Sequence, residues 1–143
     1  ELLADKGFAI GTDFITGHPG ESEELWSEAM KNARELPLTH IHAFTYSKRD
    51  GTKSATMKPE VNGKIAKNRL HDIQDLINEK NFDFRQNFKG ELDVLIESYK
   101  EGLYHGFDQY FNKVVVKSEN DLLGNWVNIA NYHVEKEYNY AQL

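Results

Sequence analysis

Residues 11 to 21 read Gly-Thr-Asp-Phe-Ile-Thr-Gly-His-Pro-Gly-Glu, and this stretch leaves few folds open. Phe8, Ala9, Ile10, Phe14 and Ile15 make a short apolar run that suits a strand covered on both faces. Gly17, Pro19 and Gly20 then break the regular structure. Glu21-Ser22-Glu23-Glu24 puts negative charge into the first turn of a following helix, where the helix dipole favours it. A buried strand that runs through glycines into a helix is where α/β folds seat their ligands.

The pattern continues as strand, helix, strand. Residues 1–6 read as a helix end closed by Gly7, followed by a strand over 8–16. A helix over 21–35 is expected from Leu25, Ala29, Ala33 and Leu36 at helical spacing, with Trp26 and Met30 alongside, and Pro37 ends it. Residues 39–46 alternate polar and apolar and read as a second strand, so a parallel, right-handed βαβ unit is predicted. A loop from Ser47 to Lys58 leads to Pro59, expected in the first turn of a helix reaching about Phe84. Its apolar face would be Val61, Ile65, Ala66, Leu70, Ile73, Leu76 and Ile77.

From about Phe88 the period changes to that of short strands. Runs around Leu92–Glu97, Val114–Val116, Trp126–Ala130 and Tyr132–Tyr140 are separated by Gly102, Gly106 and Gly124. This spacing predicts a small antiparallel β-barrel. The fold class is therefore α/β plus all-β, with a first domain over 1–86 and a second over 87–143.

Composition removes several alternatives. With 39% hydrophobic residues the chain can bury a core, and no apolar run approaches the roughly 20 residues of a membrane span. The absence of a signal peptide makes a cytoplasmic location the expectation. No cysteine is present, so disulfides, thiolate zinc sites and iron–sulfur ligands from this segment are excluded. A parallel strand so near Glu1 needs neighbours that too few later strands supply, so the chain is expected to be the C-terminal part of a longer protein. The net charge of −6 divides into −5 over 1–44, +3 over 45–88 and −4 over 89–143. Only the middle third suits a polyanion, and a solvated, salt-bridged surface explains it equally well.

Two stretches carry a family likeness. Residues 11–21 resemble the "TDxIxGFPGE" stretch of radical S-adenosylmethionine methylthiotransferases, with His18 in place of the usual phenylalanine. His42-Ala43-Phe44-Thr45-Tyr46-Ser47-Lys48-Arg49-Asp50-Gly51-Thr52-Lys53-Ser54-Ala55 resembles their "HxFxYSxRxGTxA" stretch. Arg69-Leu70 sits where their linking helix usually has such a pair, and Val94-Leu95-Ile96-Glu97 resembles the first strand of their TRAM domain.

The resemblance implies the last strands and helices of a partial (β/α) barrel followed by a small antiparallel, OB-like TRAM barrel. It implies S-adenosylmethionine and two 4Fe-4S clusters as cofactors, with the cluster ligands in a C-x3-C-x2-C motif upstream, so that this segment alone would be inactive and would hold no catalytic residue. The reaction implied is methylthiolation of an aromatic C–H through a 5′-deoxyadenosyl radical, drawing on a sulfur donor and an electron donor. His42-x-Phe44-x-Tyr46 points to the subfamily acting on N6-threonylcarbamoyladenosine beside the anticodon of tRNA, with the anticodon stem-loop as partner. The related isopentenyladenosine subfamily, a ribosomal protein as target, or a non-catalytic RNA- or protein-binding module are the other readings.

Among single residues, Gly17, Pro19 and Gly20 would let backbone approach the cofactor, because glycine lacks a Cβ. Asp13 and Glu21 join them as cofactor-binding candidates. Asp13, a carboxylate in an apolar strand, either orients a ligand or forms a buried ion pair, for instance with Arg49. Tyr46, Ser47, Arg49 and Thr52 lie at and beyond the end of the second strand as substrate-binding candidates. Arg49 suits a phosphate or carboxylate, or else a loop-closing bridge to Asp50 or Glu21. His40 and His42 share one strand face and read as packing histidines rather than metal ligands. In the β-rich part, Lys100 and Lys113 accompany Tyr99, Tyr104, Phe107, Tyr110, Phe111, Trp126, Tyr132 and Tyr138, of which some could stack on bases and most belong to a core. Lys58, Lys64, Lys67 and Arg69 on the middle helix would add basic surface.

Overall fold

The computed structural model describes residues 2–143. The chain divides into two compact units, one ending at Lys80 and the other running Asn81–Leu143.

In the first unit, a 3-10 turn Ala4–Lys6 closes on Gly7 at φ 79°. Strand β1 (Gly11–Thr16), helix α1 (Glu23–Glu35) and strand β2 (His40–Thr45) then form the expected βαβ, with β1 and β2 parallel and Asp13 opposite His42. Ser22 caps α1, its side chain accepting from the Leu25 amide at 3.3 Å. The buried stripe of α1 is Trp26, Met30 and Ala33, whereas Leu25 and Leu36 are exposed. Two stripes in α1 share helical spacing, and the one carrying the largest ring takes the core.

Helix α2 (Gly63–Asn87) begins later than Pro59 suggests. Asn62 caps it instead, accepting from the Lys64 amide through its side chain and from the Ala66 amide through its carbonyl. Ile73 is fully buried with Trp26, Met30 and Ala33, and Phe14, Ile41, Ala43 and Leu76 pack around them. Those contacts take one face of β1–β2 only. Strand alternation puts Asp13, Ile15, His42 and Phe44 on the other face, where Ile15 and Phe44 are 53% and 57% exposed. The expectation of a strand covered on both faces is thus corrected, as is that of a buried Asp13.

The second unit is a six-stranded sheet in the order β6-β3-β4-β5-β8-β7, curled into a half-barrel. Its strands are β3 (Leu92–Lys100), β4 (Leu103–Phe107), β5 (Lys113–Lys117), β6 (Trp126–Ile129), β7 (His133–Val134) and β8 (Asn139–Gln142). All pairings are antiparallel except β5–β8, which is parallel. Leu92, Val94, Ile96, Tyr104, Val114, Val116, Ile129 and Ala141 form the core. Strand β4 is the element the glycine spacing hides. Gly106 does not end a strand; it sits inside one, where a Cβ would collide with the Leu95 carbonyl oxygen beside a β3–β4 register shift. Among the described residues, no helix is long and apolar enough to cross a membrane.

Candidate functional site

The C-terminal ends of β1 and β2 make a rim whose shape is set by backbone. Thr16 is fully buried and donates its hydroxyl to the Ala66 carbonyl of α2 at 2.9 Å. Gly17 follows at φ 76°, and a Cβ there would run into the Ala66 side chain, so α2 and the turn meet without room for a methyl group. Gly20 turns again at φ 90°, and its amide donates to the Pro59 carbonyl at 2.9 Å. The Glu21 amide donates to the His18 carbonyl at 2.9 Å. On the β2 side, the Tyr46 amide donates to the Thr16 carbonyl at 2.8 Å, continuing the strand pair into the rim. The His18 and Tyr46 rings meet edge-on with centroids 5.2 Å apart, so the imidazole packs against the start of the loop after β2.

Arg69 ties this turn to α2. It is 4% exposed and lies on the buried stripe between Ala66 and Ile73, which corrects its assignment to a basic surface. Its Nη1 donates to Glu21 Oε1 at 2.6 Å and to the Glu21 carbonyl at 3.1 Å, and its Nη2 donates to Glu23 Oε1 at 2.5 Å. The guanidinium also lies 5.6 Å from the centre of the Trp26 ring. Both Glu21 carboxylate oxygens accept from the Gly17 amide, at 3.1 and 3.2 Å. The three-residue rhythm from Ala66 to Arg69, followed by four to Ile73, was the sequence signal for a buried arginine.

Of the residues singled out from sequence, Gly17, Pro19, Gly20, Glu21 and Tyr46 come together at this rim. Gly17, Pro19, Tyr46, Lys48, Ser54 and Glu60 line a cavity of about 190 Å³, and the Tyr46 hydroxyl is buried without a hydrogen-bond partner. Glu60 is held below the usual carboxylate range by its hydrogen bond from Lys58, by the charge of Lys58 and by that of Lys48. Ser47, Arg49 and Thr52 follow in an exposed loop, where Thr52 donates its hydroxyl to the Arg49 carbonyl at 2.7 Å. Among the described residues Arg49 forms no ion pair, with Asp13, Asp50 or Glu21 or any other carboxylate. Asp13 stands apart on the open face, opposite His42, which is exposed rather than packed.

Lys100 and Lys113 belong to the second unit, opposite Leu103 and Phe107 at the two ends of β4. There Trp126, Leu95, Phe107 and Lys113 stand directly across from one another on β6, β3, β4 and β5, which places them in one row on the outward face of the sheet. Phe111 adds its ring 6.0 Å from that of Phe107. Trp126 and Phe111 are 67% and 75% exposed, so this part of the aromatic set lies outside the core.

A parallel βαβ with a glycine rim, joined through a long helix to a curled β-sheet, defines a two-unit α/β and all-β protein. No family model matches it. The chain is 45% identical over 99% of its length to a Helicobacter pylori protein provisionally named a methylthiotransferase. It is 29% identical over 95% of its length to the threonylcarbamoyladenosine tRNA methylthiotransferase MtaB of Bacillus subtilis, of which it covers 32%. It is 33% identical over 74% of its length to the ribosomal protein uS12 methylthiotransferase RimO of Caldanaerobacter subterraneus subsp. tengcongensis, covering 24%. The homologues of this chain are methylthiotransferases. It spans about a third of the length of the curated relatives it matches, 34% of the Helicobacter pylori protein.

Proposed function

We propose that this chain forms the cofactor-facing rim and the RNA-facing β unit of a radical S-adenosylmethionine methylthiotransferase that modifies N6-threonylcarbamoyladenosine beside the anticodon of tRNA. The observation that carries this reading is the rim itself, where glycine backbone, Pro19 and Tyr46 gather at the strand ends. Its residues fit one edge of S-adenosylmethionine. The space where a Gly20 Cβ would project is open, the Tyr46 hydroxyl lacks a partner, and the cavity of about 190 Å³ is smaller than a pocket for the whole molecule. Gly17, Pro19, Gly20 and Tyr46 would hold that edge, with Asp13 further down the open face. Glu21 serves the turn rather than the ligand, because its carboxylate is engaged by Gly17 and Arg69. When bound, S-adenosylmethionine supplies the radical that activates the adenine C–H and the methyl group. A 4Fe-4S cluster does not fit the residues present, since the chain has no thiolate and, among the described residues, no group of three metal-ligating side chains.

In the second unit, Trp126, Phe107 and Phe111 offer rings for unpaired bases, with Lys113 and Lys100 placed for phosphates. Ser47, Arg49 and Thr52 would meet the threonylcarbamoyl group, whose carboxylate suits the unpaired Arg49. The expected setting is the cytoplasm, with a sulfur donor and an electron donor as further partners. The relative named for threonylcarbamoyladenosine in tRNA supports this choice of substrate.

The test is nucleoside mass spectrometry of total tRNA from cells lacking the full-length gene. Loss of the methylthio group from threonylcarbamoyladenosine supports the reading, and intact tRNA modification rejects it. A ribosomal protein is the second reading. It is favoured by the relative named for uS12 and by the balance of −4 over residues 89–143, which suits a basic protein better than a phosphate backbone.

A further inference from the structure

We infer that Arg69 is a positioning residue for the cofactor rim, acting from α2 through Glu21 on the turn at Gly17–Gly20. This rests on the reading that the rim holds S-adenosylmethionine. Gly17 and Gly20 both adopt positive φ and carry no side chain by which a neighbouring element could grip the turn. The two glycine ends of the turn are therefore held through their peptide groups, while His18 between them packs on Tyr46. Gly20 N–H is taken by Pro59, and Gly17 N–H by both oxygens of Glu21. A glutamate side chain has several rotatable bonds and would not hold that pose unaided. Arg69 supplies the restraint, binding the Glu21 carboxylate and the Glu21 carbonyl through the same Nη1, so that side chain and backbone are fixed together.

The burial of Arg69 makes this a rigid link. A surface arginine–glutamate pair contributes little and is mobile, but this guanidinium is 4% exposed and Glu21 14%, so the pair is screened weakly. The second fork of the guanidinium holds Glu23, and one face lies on Trp26, which fixes the plane of the group from two more directions. Arg69 Nε is buried without an acceptor, so the charge is compensated only through the two terminal nitrogens. Removing either carboxylate therefore leaves a buried cation short of partners. Arg69 touches neither the open face of β1–β2 nor the cavity, and it is not a catalytic residue.

The experiment uses the full-length gene product loaded with its clusters, and it reads amide hydrogen exchange over residues 15–22 together with equilibrium binding of S-adenosylmethionine. In the native protein, S-adenosylmethionine should slow exchange at residues 17–20. Arg69→Gln should speed exchange of the Gly17 amide about tenfold or more without ligand and weaken binding about tenfold. In turnover the loss should fall on KM for S-adenosylmethionine, with kcat held within about twofold. Arg69→Lys keeps the charge but loses the rigid fork that holds Glu21 and Glu23 from separate nitrogens, so it should fall between. It also serves if the glutamine variant does not fold. Glu21→Gln should reproduce the effect, and the double variant Arg69→Lys with Glu21→Gln should be no worse than Glu21→Gln, because both act on one link. Native exchange and affinity in Arg69→Lys and Glu21→Gln would overturn the inference. So would faster Gly17 exchange with unchanged affinity, which would leave Arg69 as a support for the turn alone. If S-adenosylmethionine fails to protect residues 17–20 in the native protein, the rim reading falls and takes the positioning role with it. The ligand-free exchange of the variants then still reports separately whether the Arg69–Glu21–Gly17 link exists.

Discussion

Helix α2 buries an arginine in each unit, Arg69 in the first and Arg85 in the second, and the two are satisfied by opposite chemistry. Arg69 meets two carboxylates, of which Glu23 is largely exposed. Arg85, 2% exposed, meets neutral oxygens instead: the carbonyls of Glu135 and Lys136 at 2.8 Å each, and the side-chain oxygens of Asn81 and Asn139. Behind it Asn81 donates to Asn112, and Asn112 donates to the buried Asp108, which also accepts from the Tyr110 amide. Desolvation lowers the Arg85 pKa and the more distant Asp108 charge opposes that effect. Neutral acceptors on a buried network fix the ends of an irregular segment, here the β7–β8 turn. Charged acceptors beside a glycine turn hold that turn against α2. The first pattern closes the β7–β8 turn, and the second is the link we propose positions the rim.

The largest effect should come from Arg85. Arg85→Met leaves carbonyl groups of Glu135 and Lys136 and the Asn139 side chain without their donor, and should cost the second unit about 3 kcal/mol. Exchange of the β3 and β5 amides under increasing urea would report it, and a loss under about 1 kcal/mol would break the claim that this network closes the β7–β8 turn. Arg69→Met should cost the first unit about 2 kcal/mol, since Glu21 keeps part of its solvation. The two tryptophans of the chain lie one in each unit, and the buried Trp26 gives a reporter for the first. If Arg69→Met shifted β3 exchange as much as Trp26 emission, the separation of the two roles would fail.

Lys80 sharpens the comparison at smaller scale. Its ammonium donates to the carbonyls of Ala33, Arg34 and Leu36 at 2.9, 2.8 and 2.5 Å, gathering carbonyls at the C-terminal end of α1. Lys80→Met should lower the Trp26 transition by about 1 kcal/mol and leave the second unit unchanged. Trp126→Ala, at a side chain 67% exposed, should leave both transitions in place while weakening tRNA binding. A fall in stability with unchanged binding would return Trp126 to the core.

The parts of this arrangement that depend on local periodicity were legible in the sequence: the βαβ unit, the glycine turn after its first strand, and the break at Gly102 that ends β3. What depends on the neighbours of a residue was not. Gly106 looks like a breaker until the Leu95 carbonyl is found where its Cβ would be. Asp13 looks costly in an apolar strand until one face of β1–β2 proves uncovered. Arg69 looks like one more cation on a basic helix until Glu21, Glu23 and Trp26 are found around its guanidinium. In each case the residue type was visible and the environment that sets its role was made by residues distant in the chain.

The smallest effect is a pH dependence confined to the second unit. Tyr132 donates its hydroxyl to the Gly90 carbonyl at 3.1 Å and packs against the β core. Burial, and then the charge of Asp108, raise its pKa above the ordinary value of 10.0. Between the unfolded and the raised folded pKa, the unfolded chain has released this proton and the folded one retains it. The folded state therefore binds more protons, and stability falls as pH rises. The contribution is whole below about pH 10 and is lost as pH climbs through the folded pKa. The downward slope should therefore appear in β3 and β5 exchange. Tyr132→Phe should flatten it. A slope that survives this substitution would assign the alkaline loss to another group.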